Sequence, residues 1–278
     1  MRTRILLAVA VGVGCLLAVI TGATAAGPSP GLSADGLAQG NLRYMTLPAG
    51  ASTSLEVIRR DGGRVLRFMT IKGNWGIPLV AYDGTAGGLL PDGRTLLLAQ
   101  TIYTGDGFRK HTSFTFVDVR EMKRLGTITM PGPFAFDALS PNGRYLYLIQ
   151  YLSSEQPDLY RVRAYDLKTR QLLARIVSDK RSWETSMEGM PITRATADGW
   201  AYTLYGAGAG RPFIHALDTR HVSAVCINLP WKTSPDRIFA YRLRTDGDGH
   251  LVVRGPRGRA LIVVDRRSFG ILSAVRNP

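Results

Sequence analysis

Apolar and polar positions along this chain change register at turns that contain glycine. From Phe134 an apolar run reaches Ser140-Pro141-Asn142-Gly143 and resumes as Tyr145-Leu146-Tyr147-Leu148. Asn-Gly favours a tight connection between two strands, because both residues tolerate positive φ. Further on, Arg161-Val162-Arg163-Ala164-Tyr165 alternates with the period of two that a half-buried strand shows. A short polar turn, Lys168-Thr169-Arg170, precedes a last apolar stretch. The pattern predicts a unit of four short strands, a to d, with tight a–b and c–d turns and a longer b–c connection.

The unit recurs. Leu90-Pro91-Asp92-Gly93-Arg94-Thr95-Leu96, Thr196-Ala197-Asp198-Gly199-Trp200-Ala201-Tyr202 and Gly247-Asp248-Gly249-His250-Leu251 repeat the a–b turn. The turn glycines Gly93, Gly143, Gly199 and Gly249 are spaced by 50, 56 and 50 residues. A second landmark closes strand c at Asp118, Asp166, Asp218 and Asp265, with steps of 48, 52 and 47. One aspartate per repeat at a strand end predicts turn capping. A ragged first copy lies upstream: Asn41–Met45 as strand b, Leu55–Ile58 as c, Asp61-Gly62 as the c–d turn, and Leu32–Gly36 as a degenerate a–b turn. Four-stranded units of roughly 40–50 residues predict an all-β propeller of about five blades, the first irregular. The predicted divisions are a signal peptide at 1–26, a linker at 27–40 and the propeller at 41–278.

Ser140-Pro141-Asn142-Gly143-Arg144-Tyr145-Leu146-Tyr147 with Tyr165-Asp166-Leu167 resembles the YVTN/WD40-like propeller repeat of exported bacterial proteins. The resemblance covers most of the chain after residue 40. No copy carries the Trp-Asp or Gly-His pairs of strict WD40 blades. The resemblance implies a fold and leaves the activity open, since propellers host many functions.

The first 26 residues differ from the rest. Arg2 and Arg4 precede the uncharged apolar run Ile5–Ile20, and Ala23-Thr24-Ala25 offers a cleavage site. This is the pattern of a secretory signal peptide, preceding a secreted or envelope-associated protein. The run is shorter than the ~20 residues of a spanning helix, and the competing reading is a membrane-tethered sensor or accessory subunit that retains residues 5–20. After cleavage Cys226 is the one remaining cysteine, so no intrachain disulfide forms and the apolar core holds the fold.

The formal net charge is +14, and +12 without Arg2 and Arg4. Such a surface attracts acidic envelope polymers. The arginines are dispersed with no basic block, which argues against nucleic acid as a partner. A monomer is expected.

The long connectors, b–c and d–a, leave a propeller blade on one face. They include 72–85, 100–111, 151–159, 180–191 and 229–237. Binding groups gather on such loops. The expected ligand-facing residues are Trp75, Tyr82, Tyr103, Arg109, Trp183, Glu188 and Trp231, with Arg194 entering from a strand a where the other copies carry small residues. None of His111, His215, His221 and His250 has zinc-ligand spacing, and Asp246-Gly247-Asp248-Gly249 lacks the arrangement of a calcium loop. No nucleophile elbow, phosphate loop or cofactor motif appears, so no cofactor, metal or catalytic residue is expected. The sequence therefore predicts a non-enzymatic propeller that binds a protein, an envelope polymer or a small ligand. The enzyme alternative is a hydrolase or lyase using Asp106, Asp137, Glu184 and Glu188, which would require two facing carboxyls in a deep pocket.

Overall fold

The computed structural model describes residues 31–105, 107–182, 185–206 and 211–275. The signal-peptide reading, Asp106, Trp183 and Glu184 lie outside them. Among the described residues no helix is long and apolar enough to cross a membrane. The chain forms an all-β propeller of five successive antiparallel sheets.

The first blade orders Leu37–Gln39, Leu42–Ala49, Ser52–Arg59 and Val65–Lys72. The third comprises Phe134–Leu139, Tyr145–Tyr151, Leu159–Asp166 and the short Gln171–Leu172. In the fourth, Met190–Ala197, Trp200–Gly206, Phe213–Asp218 and Ser223–Asn228 run in order. Arg242–Thr245, His250–Arg254, Ala260–Asp265 and Ile271–Ala274 make the fifth.

Each apolar alternation becomes one sheet face. In the first blade Thr53, Leu55 and Val57 are buried while Ser54, Glu56 and Ile58 between them are half-exposed. Four buried clusters follow from such faces, one in each seam between consecutive blades. Tyr44, Leu55 and Val57 meet Leu96 and Leu98 in the first seam, and Ile214 and Tyr202 meet Leu251 and Val253 in the last. No such cluster among the described residues joins the fifth blade to the first, and Phe68 (69% exposed) and Leu272 (59%) mark their outer sides.

The repeating landmarks occupy matching corners. Gly93, Gly143, Gly199 and Gly249 all have positive φ, at 61°, 68°, 81° and 88°. Each landmark aspartate accepts N–H bonds from the second and third residues after it. Asp118 takes those of Arg120 and Glu121, and Asp166 those of Lys168 and Thr169. Asp218 and Asp265 repeat the device. Turn capping is therefore their structural role.

Two expectations are corrected. The first blade is regular; its a–b turn lies at Gly40-Asn41 rather than Leu32–Gly36, so Leu37–Gln39 already pairs inside the stretch read as linker. The irregular blade is the second. Thr95–Ala99, His111–Asp118 and Lys123–Pro131 form only a three-stranded sheet, and the inner edge is reduced to an isolated Leu89–Leu96 bridge. Gly88 there has φ +113°, and an added Cβ would meet the Leu97 carbonyl oxygen at 2.6 Å. Ala86-Gly87-Gly88 supplies too little side chain to pack as a strand and costs extra entropy to order.

Candidate functional site

The segment that joins the first blade to the second crosses to the fourth at the long-connector end. Leu79 and Ala86 pair, and the loop between them reaches the fourth blade. The Tyr82 and Asp83 N–H groups donate to the Pro191 and Ile192 carbonyls at 2.9 and 3.0 Å. Asp83 accepts the Thr85 N–H and the Thr193 hydroxyl. Tyr82 meets Phe239 edge-on at 5.7 Å. Beneath it a space of about 20 Å³ lies between Val80, Tyr151, Tyr160 and Tyr205.

An open depression of about 460 Å³ lies instead at the tight-turn end. The turn residues Pro91, Pro141, Asp198 and Gly199 rim it; Gly87, Gly88 and Ala138 form its small-residue walls. Asp137 and Arg194 lie at its floor, 2% and 7% exposed, joined as an ion pair. Arg194 also donates through Nη1 to the Asp137 carbonyl at 2.7 Å and through Nε to the Thr203 hydroxyl at 2.9 Å. The other carboxylate on the wall, Asp198, pairs with Arg266 at 3.0 Å. Such a volume with few polar groups suits a small, partly apolar molecule.

Arg194 begins a polar row across the fourth blade. Cross-strand register places Thr203 opposite Arg194, His215 opposite Thr203, and Cys226 opposite His215. Directly opposed residues share a face, here the one turned to the third blade. His215 is 1% exposed, and neither ring nitrogen has a hydrogen-bond partner among the described residues. Burial pushes its pKa down to about 4; Asp137 and Asp179 pull it up and Arg194 pushes it down, but burial prevails. The imidazole is therefore neutral at pH 7.

The row ends in a cavity of about 390 Å³ at the outer edge of the third blade. That edge is interrupted. Gln171–Leu172 pairs with one end of Leu159–Asp166 and Met187–Glu188 with the other. Between them the pairing shrinks to an isolated Val162–Val177 bridge, and Asp179 bridges onward to Ala224 of the fourth blade. Its carboxylate accepts the backbone N–H groups of Cys226 at 2.8 Å and Arg181 at 2.9 Å, and the Arg181 Nε and Nη2 groups. Burial disfavours the charged carboxyl, yet Arg181 and the two N–H groups outweigh it and hold the pKa down at about 2. His215, Cys226 and Met187 line this cavity together, with Cys226 Sγ 3.9 Å from Met187 Sδ.

The residues singled out in the sequence do not converge. Trp75 and Trp231 are core side chains, 9% and 5% exposed, in the first and last seams. Trp75 Nε1 donates to the Lys72 carbonyl. Tyr103 stacks obliquely on Phe108, which meets Tyr151. Arg109 donates to the Thr101 carbonyl, and Glu188 is exposed on the outer edge of the third blade. Of the described residues in that set, only Arg194 lines the axial depression. Sequence reading missed Asp137 as its partner and the His215–Cys226–Met187 group. The first two of these lie 11 residues apart on a hairpin, and the third comes from another blade.

No protein-family model matches the chain, and no curated protein does. Solved structures similar to it include dihydro-heme d1 dehydrogenase NirN in complex with DHE, at 15% identity and a TM-score of 0.48 over 84% of this chain and 43% of that one. The Dos1 propeller is similar at 11% identity and a TM-score of 0.48, covering 82% and 55% of the two chains. TolB from Acinetobacter baumannii is similar at 14% identity and a TM-score of 0.45, covering 84% and 52%. The chain thus spans about half of each of these proteins, and identities this low bear on fold alone.

Proposed function

We propose that this chain is an exported, non-enzymatic binding propeller of the YVTN-like kind, whose ligand is a small, partly apolar molecule seated in the axial depression. The observation that carries the reading is the depression itself: about 460 Å³, walled by glycine and alanine, open at the tight-turn end. Both carboxylates on its wall are held by arginines, Asp137 by Arg194 and Asp198 by Arg266. Each carboxylate is engaged by its own guanidinium and the two are not bonded to each other, which favours binding over two-carboxylate hydrolysis. Export rests on the Arg2–Ala26 pattern and predicts a mature N-terminus near Gly27.

Thr196 is exposed on the wall of the depression, so a larger side chain there obstructs the space without entering the core. Mature wild-type protein and a Thr196→Trp variant, incubated with an envelope small-molecule extract, are compared by native mass spectrometry. Adducts present on wild type and lost from the variant support the reading; equal retention by both refutes it. The intact mass of the exported protein checks the processed N-terminus in the same experiment.

A further inference from the structure

Three soft or borderline donors converge where the outer edge of the third blade is interrupted, and none of them has a place in the axial site. We infer that His215, Cys226 and Met187 form a binding site for a soft monovalent metal ion, cuprous copper.

His215 and Cys226 face each other across adjacent strands, a placement that sets Cβ atoms about 4.5–5.5 Å apart. Met187 arrives from the third blade and brings its thioether sulfur to 3.9 Å from Cys226 Sγ. Two sulfurs each ~2.3 Å from a tetrahedrally disposed ion stand about 3.8 Å apart. The sulfur pair is thus already at the separation that shared coordination requires.

His215 supplies the independent sign of a ligand. It is 1% exposed, and both its nitrogens lack a hydrogen-bond partner among the described residues. An unpaired buried polar atom is costly, and native proteins rarely leave one without cause. A metal ion on one nitrogen would satisfy it. The cavity that the three residues share also gives an entry path, since Ser178, Ser182 and Thr185 line its mouth. Asp179 supports the arrangement by holding the Cys226 backbone N–H and anchoring Arg181.

Charge selects the ion. Binding releases the Cys226 thiol proton to solvent, and the sulfur lone pair forms the metal bond. A cuprous ion with one thiolate, one neutral imidazole and one thioether carries no net charge, so its burial costs little. A divalent zinc ion in the same place would leave one positive charge buried near Arg194 and Arg181. Thioether ligation also favours cuprous copper over zinc.

The test uses the metal-stripped mature protein under anaerobic conditions, with cuprous ion supplied from a chromophoric copper(I) chelate. One equivalent should transfer to the protein. His215→Ala and Cys226→Ser should each weaken binding by more than the ~10–100-fold that outer-shell changes cost, and Met187→Leu, which keeps the packing volume, should weaken it measurably. Circular dichroism melts separate ligand loss from unfolding, and Met187→Leu keeps the test valid if His215→Ala fails to fold. A His250→Ala control addresses the exposed Asp246, Asp248 and His250 group, which has no sulfur donor; it should retain full affinity. Failure of wild type to withdraw copper, unchanged affinity in folded Cys226→Ser, loss of binding in His250→Ala, or preference for zinc would each overturn the assignment.

Discussion

His215 makes the apo protein sensitive to mild acid. Its folded pKa of about 4 lies below the unfolded value near 6.5, because burial opposes the imidazolium. The unfolded chain therefore takes up a proton below pH 6.5 while the folded chain does not. Stability from this residue is complete above pH 6.5 and is lost as pH falls toward about 4. Linkage gives a loss of about 2 kcal/mol at pH 5 and about 3 kcal/mol at pH 4. His215→Leu removes the titrating group and, with it, two buried unpaired nitrogens. Urea unfolding followed by tryptophan fluorescence, with chelator present, should be run on both proteins at pH 7.5, 6, 5 and 4. Other carboxylates contribute equally to both chains, and the well-held Asp179 titrates below this window. The variant should gain on wild type by about 3 kcal/mol from pH 7.5 to pH 4. A difference that stays flat to within about 0.5 kcal/mol would show that His215 is hydrated or paired in solution.

Other perturbations follow from the fold. Arg194→Met leaves the Asp137 carboxyl 2% exposed without its guanidinium, and should cost about 3–5 kcal/mol in chemical denaturation; Asp137→Leu combined with Arg194→Met should cost less than the single change. Trp75→Ala and Trp231→Ala should each lose about 3–5 kcal/mol, because both rings sit in seams between blades; wild-type melting would return them to the surface. Gly143→Val should cost about 1–2 kcal/mol from backbone strain alone, since the space around it is open. Gly88→Val should cost more, because the Leu97 carbonyl adds a clash to the strain; equal midpoints would contradict that geometry.

Much of the fold was legible because its signals are local. An Asn-Gly turn and an aspartate capping its own next three residues are written within a few positions, and their spacing announces the blades. The second blade hid its irregularity because Ala86-Gly87-Gly88 has too few side chains to display a period. The candidate sites were hidden for the opposite reason. Arg194 looked unusual beside its small-residue counterparts, yet its partner Asp137 lies 57 residues away in the preceding blade. The loop aromatics suggested a binding face, but aromatic rings are equally suited to closing seams, and Trp75 and Trp231 do so. His215 in an alternating strand reads like any core residue until register sets Cys226 across from it.

Among the described residues no apolar cluster joins the last sheet to the first, so no buried seam latches the ring there. Its cooperativity should then resemble that of a stack in which each layer leans on its neighbours, with one cross-tie where Tyr82 and Asp83 bond to the fourth blade. Amide exchange would advance inward from both termini, fastest around Phe68 and Leu272 and slowest in the strands bearing Tyr147 and Leu204. The proposed copper ligands span the third and fourth blades, away from both termini, so a molecule frayed at its ends would still keep its metal.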